Sequence, residues 1–166
     1  MSEITFGKEF SREIESEVRA SRKCLEAIPD KLYKYKPHEK SMELGYLALL
    51  VADIPRWIAH MVERPEIDLA TYERFELSTT AALVKYFDDN VEAAKRTLDK
   101  VTNKELDGKF ELKVAGKVVM SSTKKESVQQ SINHWVHHRG QLTVYMRLND
   151  IAVPSIYGPS ADERTF

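Results

Sequence analysis

Apolar residues recur at helical spacing in four stretches of the chain and at alternating spacing in a fifth. Phe10, Ile14, Val18, Ser21, Leu25 and Ile28 follow one another every three or four residues, with Glu13, Glu15, Arg19 and Lys23 on the other side. This pattern predicts an amphipathic helix stopped by Pro29-Asp30. A connection over Leu32 to Lys40, containing Pro37, leads to a second helix from about Ser41 to Glu63. On that helix Leu47, Leu50, Ile54, Trp57 and Met61 fall within one narrow stripe. Pro55 lies inside the pattern and predicts a kink or one missing backbone hydrogen bond.

Residues Pro65 to Ser78 show no sustained period and read as a loop. Thr79 or Thr80 is placed to cap a third helix, whose buried side is Leu83, Phe87, Val91 (or its neighbour Asn90), Ala94, Leu98 and Val101. Between Lys109 and Met120 the period changes to two. Phe110, Leu112 and Val114 alternate with charged residues, Ala115-Gly116 supplies a turn, and Val118-Val119-Met120 returns, the pattern of a β-hairpin. Thr123 and Glu126 have the spacing of a capping box and open a fourth helix ending near Asn149, beyond which Pro154 and Gly158-Pro159 forbid helix. Four amphipathic helices must each bury a stripe, so the expected fold is all-α: a four-helix bundle with a small β-hairpin between helices 3 and 4, formed as a single domain over 1–166.

Composition narrows the function classes. Hydrophobic residues make up 42% and charged residues 31%, the balance of a globular chain. The net charge is −1 and the basic residues are scattered among acidic ones, so no nucleic-acid partner is expected. The longest apolar run, around Leu47 to Ala52, is far short of a membrane span, so no membrane partner is expected. Met1-Ser2-Glu3 begins no secretory signal, and Cys24 is the sole cysteine; a reducing cytoplasm is the expected location.

The fourth helix carries the candidate chemistry, because three of the five histidines fall within Asn133 to Gln141. His134 and His138 are four apart, about 40° round the helix and one turn up, so one ion can be shared between them. Both point to the side that also holds Gln141 and Tyr145, within the expected buried arc, whereas His137 points to solvent. Two readings stay open: a chelate for a metal that suits imidazole, such as Zn, Ni or Fe, or two neutral hydrogen-bonded core histidines. Gly140 in the helix interior predicts the close approach of another backbone or a pocket wall. Arg139 projects into the apolar stripe, which predicts a carboxylate partner from another helix or a side chain that runs out to the surface. The chain has neither a Glu three residues before any histidine, as a di-iron carboxylate bundle requires, nor the His-Glu-x-x-His of zinc peptidases.

The run His134-Trp135-Val136-His137-His138-Arg139-Gly140-Gln141-Leu142, then Tyr145-Met146-Arg147, then Val153 to Glu163, resembles the C-terminal signature of the DinB-like family, which includes the YfiT-like metal-dependent hydrolases. Lys36 to Gly45 resembles that family's approach to its second helix. The resemblance implies a four-helix bundle, assembly as a homodimer, and a divalent metal (Ni, Zn or Fe) on three histidines, two of them His134 and His138. It puts the third ligand at Leu50, within Leu44-Gly45-Tyr46-Leu47-Ala48-Leu49-Leu50-Val51-Ala52-Asp53, and leucine cannot bind a metal. Asp53, one turn on and about 60° round, is the best replacement; Glu43 is roughly 10 Å and His60 about 15 Å away along the axis.

Two functions follow. In one, the chain is a metal-dependent hydrolase or thiol S-transferase with an incomplete site, His134 and His138 as ligands, Asp53 as candidate third ligand, and Leu50, Gln141 and Tyr145 lining the pocket. In the other it holds no metal, and the fold serves as a small-ligand binding or dimerisation module in which Leu50 joins Leu47, Ile54 and Trp57 in the core. The tail after Ile151 is expected to fold back near the pocket on Tyr157 as an apolar anchor.

Overall fold

The computed structural model describes residues 5–164, so Met1-Ser2-Glu3 lies outside the described residues. Its elements are α1 (Phe6–Glu26), α2 (Leu44–Glu63), β1 (Glu66–Asp68), α3 (Thr80–Leu98), the single turn α4 (Asn103–Leu106), β2 (Lys109–Val114), β3 (Lys117–Thr123) and α5 (Lys124–Leu148). The four long helices form a ring in the order α1, α3, α2, α5, with α1 and α2 on one diagonal. The expected bundle and hairpin are both present.

Local chemistry sets the helix starts. The Thr5 hydroxyl accepts from the Lys8 amide and caps α1. Thr79 caps α3 by accepting from Ala82 N, while Thr80 ties that end to α1 by donating to the Ile28 carbonyl at 2.5 Å. Thr123 and Glu126 form the expected capping box at the start of α5, and Thr102 with Glu105 forms a second on α4. α2 runs through Pro55, which withholds the amide that the Val51 carbonyl would receive. The buried Asn90 amide donates to the adjacent Ala52 carbonyl at 2.9 Å, which explains an asparagine on the inner face of α3 beside Val91.

The loop read over Pro65 to Ser78 departs from expectation at its start. Glu66–Asp68 is a strand, parallel to β2, with Ile67 opposite Leu112, so the sheet has three strands in the order β1-β2-β3. Three residues are too few to show a period. Ala115 and Gly116 both take positive φ, 48° and 78°, in the tight β2–β3 turn. The Asp68 carboxylate accepts both their amides, at 2.9 and 2.6 Å, and so pins the turn to β1.

The buried side of α2 also differs. Leu44, Leu47, Val51, Ile54, Ile58 and Met61 face the core, whereas Leu50 and Trp57 are only half-buried. The true stripe is turned slightly round the helix; Leu50 and Trp57, left at its edge, border a cavity, and Trp57 also packs on the small cluster of Met61, Ile67 and Phe110.

Candidate functional site

α2 and α5 pack antiparallel. Lys124 Nζ donates to the Val62 carbonyl, Ser131 Oγ reaches Met61 Sδ at 3.2 Å, and Tyr145 OH donates to the Met42 carbonyl at 3.2 Å. His138 is midway between Ser131 and Tyr145, so it stands level with the Leu50–Asp53 turn of α2 along the bundle. His134 and His138 lie ring to ring, centroids 4.3 Å apart and planes 54° apart. His138 Nδ1 pairs with Gln141 Oε1 at 2.7 Å, which fixes the orientation of the ring.

The two rings have unequal surroundings. His138 is buried and His134 is exposed, so only one of them lies in the buried arc expected of both. The pKa of His134 is lowered, first by partial desolvation and then by its neighbours His138 and His137. His137 is exposed, as its position on the helix predicts. Tyr145 turns its ring edge-on to Tyr35 at 6.3 Å.

Leu50 and Asp53 belong to a different space. They line a cavity of about 170 Å³ between α2 and the 69–75 segment, with Trp57, Tyr72, Arg74 and Phe75. Neither imidazole lines this cavity. Asp53 accepts from Trp57 Nε1 at 2.7 Å and from the Tyr86 hydroxyl, and the Arg56 guanidinium stands 3.8 Å away. Burial and the hydrogen bond to Asp53 push the Tyr86 hydroxyl up to about 12. These partners occupy both carboxylate oxygens of Asp53, which is not the partner of Arg139.

Arg139 instead pairs with Glu17 of α1, both buried, and the Tyr157 hydroxyl bridges them: it accepts from Arg139 Nη2 at 2.8 Å and donates to Glu17 at 3.0 Å. The tail therefore folds back as expected, but onto the α1–α5 side. Tyr157 anchors it through its hydroxyl while the ring stays 68% exposed, so the anchor is polar, not apolar. Gly140 meets no close neighbour: a Cβ there would have nothing within 4 Å, which overturns the expected close approach.

Comparison with known proteins decides the family. Residues 1–165 match the sequence model of the DinB family. The chain belongs to the DinB family. This DinB-family chain superposes on a DinB-like protein (YjoA) from Bacillus subtilis with a TM-score of 0.69, at 21% identity over 95% of this chain and 99% of that one. A DinB-like protein from Bacillus cereus ATCC 10987 gives a TM-score of 0.67 at 22% identity, over 89% and 95%. At such identities the likeness is one of fold. A 32-residue stretch is 56% identical to YrdA, an uncharacterised protein of Bacillus subtilis strain 168; it spans 19% of each chain.

Against the three-histidine set implied for the family, the donors here do not fit. Two imidazoles are adjacent, but the third position holds the hydrocarbon of Leu50, and Asp53 is engaged elsewhere. Among the described residues no three His, Cys, Asp or Glu side chains gather in a group able to hold a metal ion. The cavity residues after Leu69 escape sequence reasoning because the segment has no period; the aromatic side chains of Tyr72 and Phe75 in an otherwise polar stretch are the one signal available. Among the described residues no helix is long and apolar enough to cross a membrane.

Proposed function

We propose that this DinB-family chain binds a small, largely apolar molecule in the α2 cavity without a metal. One observation carries the reading: the position where the family resemblance puts a metal ligand is filled by Leu50, and Leu50 is a wall of that cavity. Leu49 and Leu69 add hydrocarbon, Trp57, Tyr72 and Phe75 add ring surface, and Asp53 is the polar group held in fixed orientation. A cavity of about 150 Å³ lined by apolar side chains takes up benzene, so about 170 Å³ suits a ligand with one ring or a branched chain.

The second reading, a metal-dependent hydrolase or thiol S-transferase, draws on one feature: the adjacent imidazoles of His134 and His138, with Gln141 orienting the latter. Elemental analysis of untagged protein purified without added metal separates the two, run beside Leu50→His. The binding reading expects no stoichiometric metal in the unmodified chain. One equivalent of Ni, Zn or Fe there, lost on His138→Ala, overturns it.

A further inference from the structure

The α2 cavity has two charged groups on its lining, and only one is available to a ligand. Asp53 has Arg56 beside it at 3.8 Å, and its oxygens already accept from Trp57 and Tyr86. Arg74 has no ion-pair or hydrogen-bond partner among the described residues. The uncompensated charge at the cavity is therefore a guanidinium, whose planar fork matches a carboxylate.

Two of the four aromatic walls are poor seats for a cation. A cation needs open ring faces, and two of the relevant faces are taken. The Arg56 guanidinium already sits over the Tyr72 ring, 4.9 Å from its centre. Phe75 is stacked on Tyr86, centroids 4.1 Å apart and planes 15° apart. A phosphate would need more donors than one guanidinium, in surroundings that are otherwise mostly hydrocarbon.

We infer that the cavity's ligand is a small apolar monocarboxylic acid, its ring or branched chain seated against Leu50 and Trp57 and its carboxylate paired with Arg74. This rests on the binding reading above and adds the ligand's charge and the residue that reads it.

The test is a titration of the intact ¹⁵N-labelled protein with phenylacetate, with phenylacetamide as neutral counterpart and phenethylamine as cationic one. The Trp57 indole N–H, which donates to Asp53, reports occupancy and is assigned by its loss in Trp57→Phe. Phenylacetate should shift that signal saturably, leave the indole of the deeply buried Trp135 in place, and bind about tenfold tighter than the amide. Arg74→Gln should erase that preference by weakening the acid far more than the amide, and Arg74→Lys should keep part of it; Arg74 is exposed, so neither variant disturbs the core. Equal affinity for acid and amide, an acid preference that survives Arg74→Gln, or tightest binding of the amine each overturns the carboxylate inference and leaves the cavity reading intact. If no probe moves the Trp57 signal, the cavity reading itself fails, and this inference with it.

Discussion

Arg139 and Glu17 form a buried ion pair across the α1–α5 interface, 2% and 9% exposed at their side chains, with the Tyr157 hydroxyl closing the group from the tail. A buried pair contributes little over a well-packed apolar pair, but removing one partner strands the other charge at a cost of about 3–5 kcal/mol. Glu17→Gln should therefore lower unfolding free energy by about that much in urea, with the slope unchanged. Tyr157→Phe should cost about 1–2 kcal/mol, since it loses one hydroxyl between charged groups while its ring is already solvated. If Tyr157→Phe proves as costly as Glu17→Gln, the tail holds the pair together rather than covering it.

Two glycines give opposite predictions. Gly140 lies inside α5, and a methyl group added there would have nothing within 4 Å, so Gly140→Ala should stabilise by about 1 kcal/mol. At Gly7, on α1, a Cβ would overlap the Leu98 carbonyl oxygen and stand 2.7 Å from Val101 Cγ1. Gly7→Ala should therefore destabilise by about 1–3 kcal/mol as the α1–α3 contact is forced apart. Paired thermal melts decide both signs.

Those glycines also show what a sequence can convey. The four helices, the hairpin and the capping box at Thr123 were legible because period and capping depend on near neighbours along the chain. That Arg139 needs a carboxylate followed from its place in an apolar stripe; that the carboxylate is Glu17, 122 residues away, did not. The spacing of His134 and His138 gave their proximity but not their unequal burial, which depends on how α5 is rolled against α2. A rotation too small to disturb the helical pattern likewise put Leu50 and Trp57 on a cavity wall.

Stability should fall on mild acidification. His60, pressed by burial and by Arg64 and Arg56, and His134, pressed by partial desolvation and by His138 and His137, both have lowered pKa values. In each case the unfolded chain binds the proton more readily, so their contribution is fully present above the ordinary histidine pKa of about 6.5 and is lost as pH falls through the lowered folded values. The urea midpoint should be lower at pH 5 than at pH 8. In His60→Gln combined with His134→Gln that difference should shrink; if the full difference persists, other groups set it.

Leu50 and Leu47 are three residues apart on α2, yet one borders empty space and the other is fully buried. Leu47→Ala should cost about 2–5 kcal/mol, because it opens a void in packed surroundings. Leu50→Ala removes a half-buried wall from a cavity that already exists, so its cost should stay below about 1.5 kcal/mol, within the ordinary range for single substitutions. Leu50→Phe adds bulk where there is room, and should hold or raise stability by up to about 1 kcal/mol while abolishing the phenylacetate-dependent shift of the Trp57 indole. Equal losses for Leu47→Ala and Leu50→Ala would place Leu50 in the core, and the residue would then have no claim on a ligand.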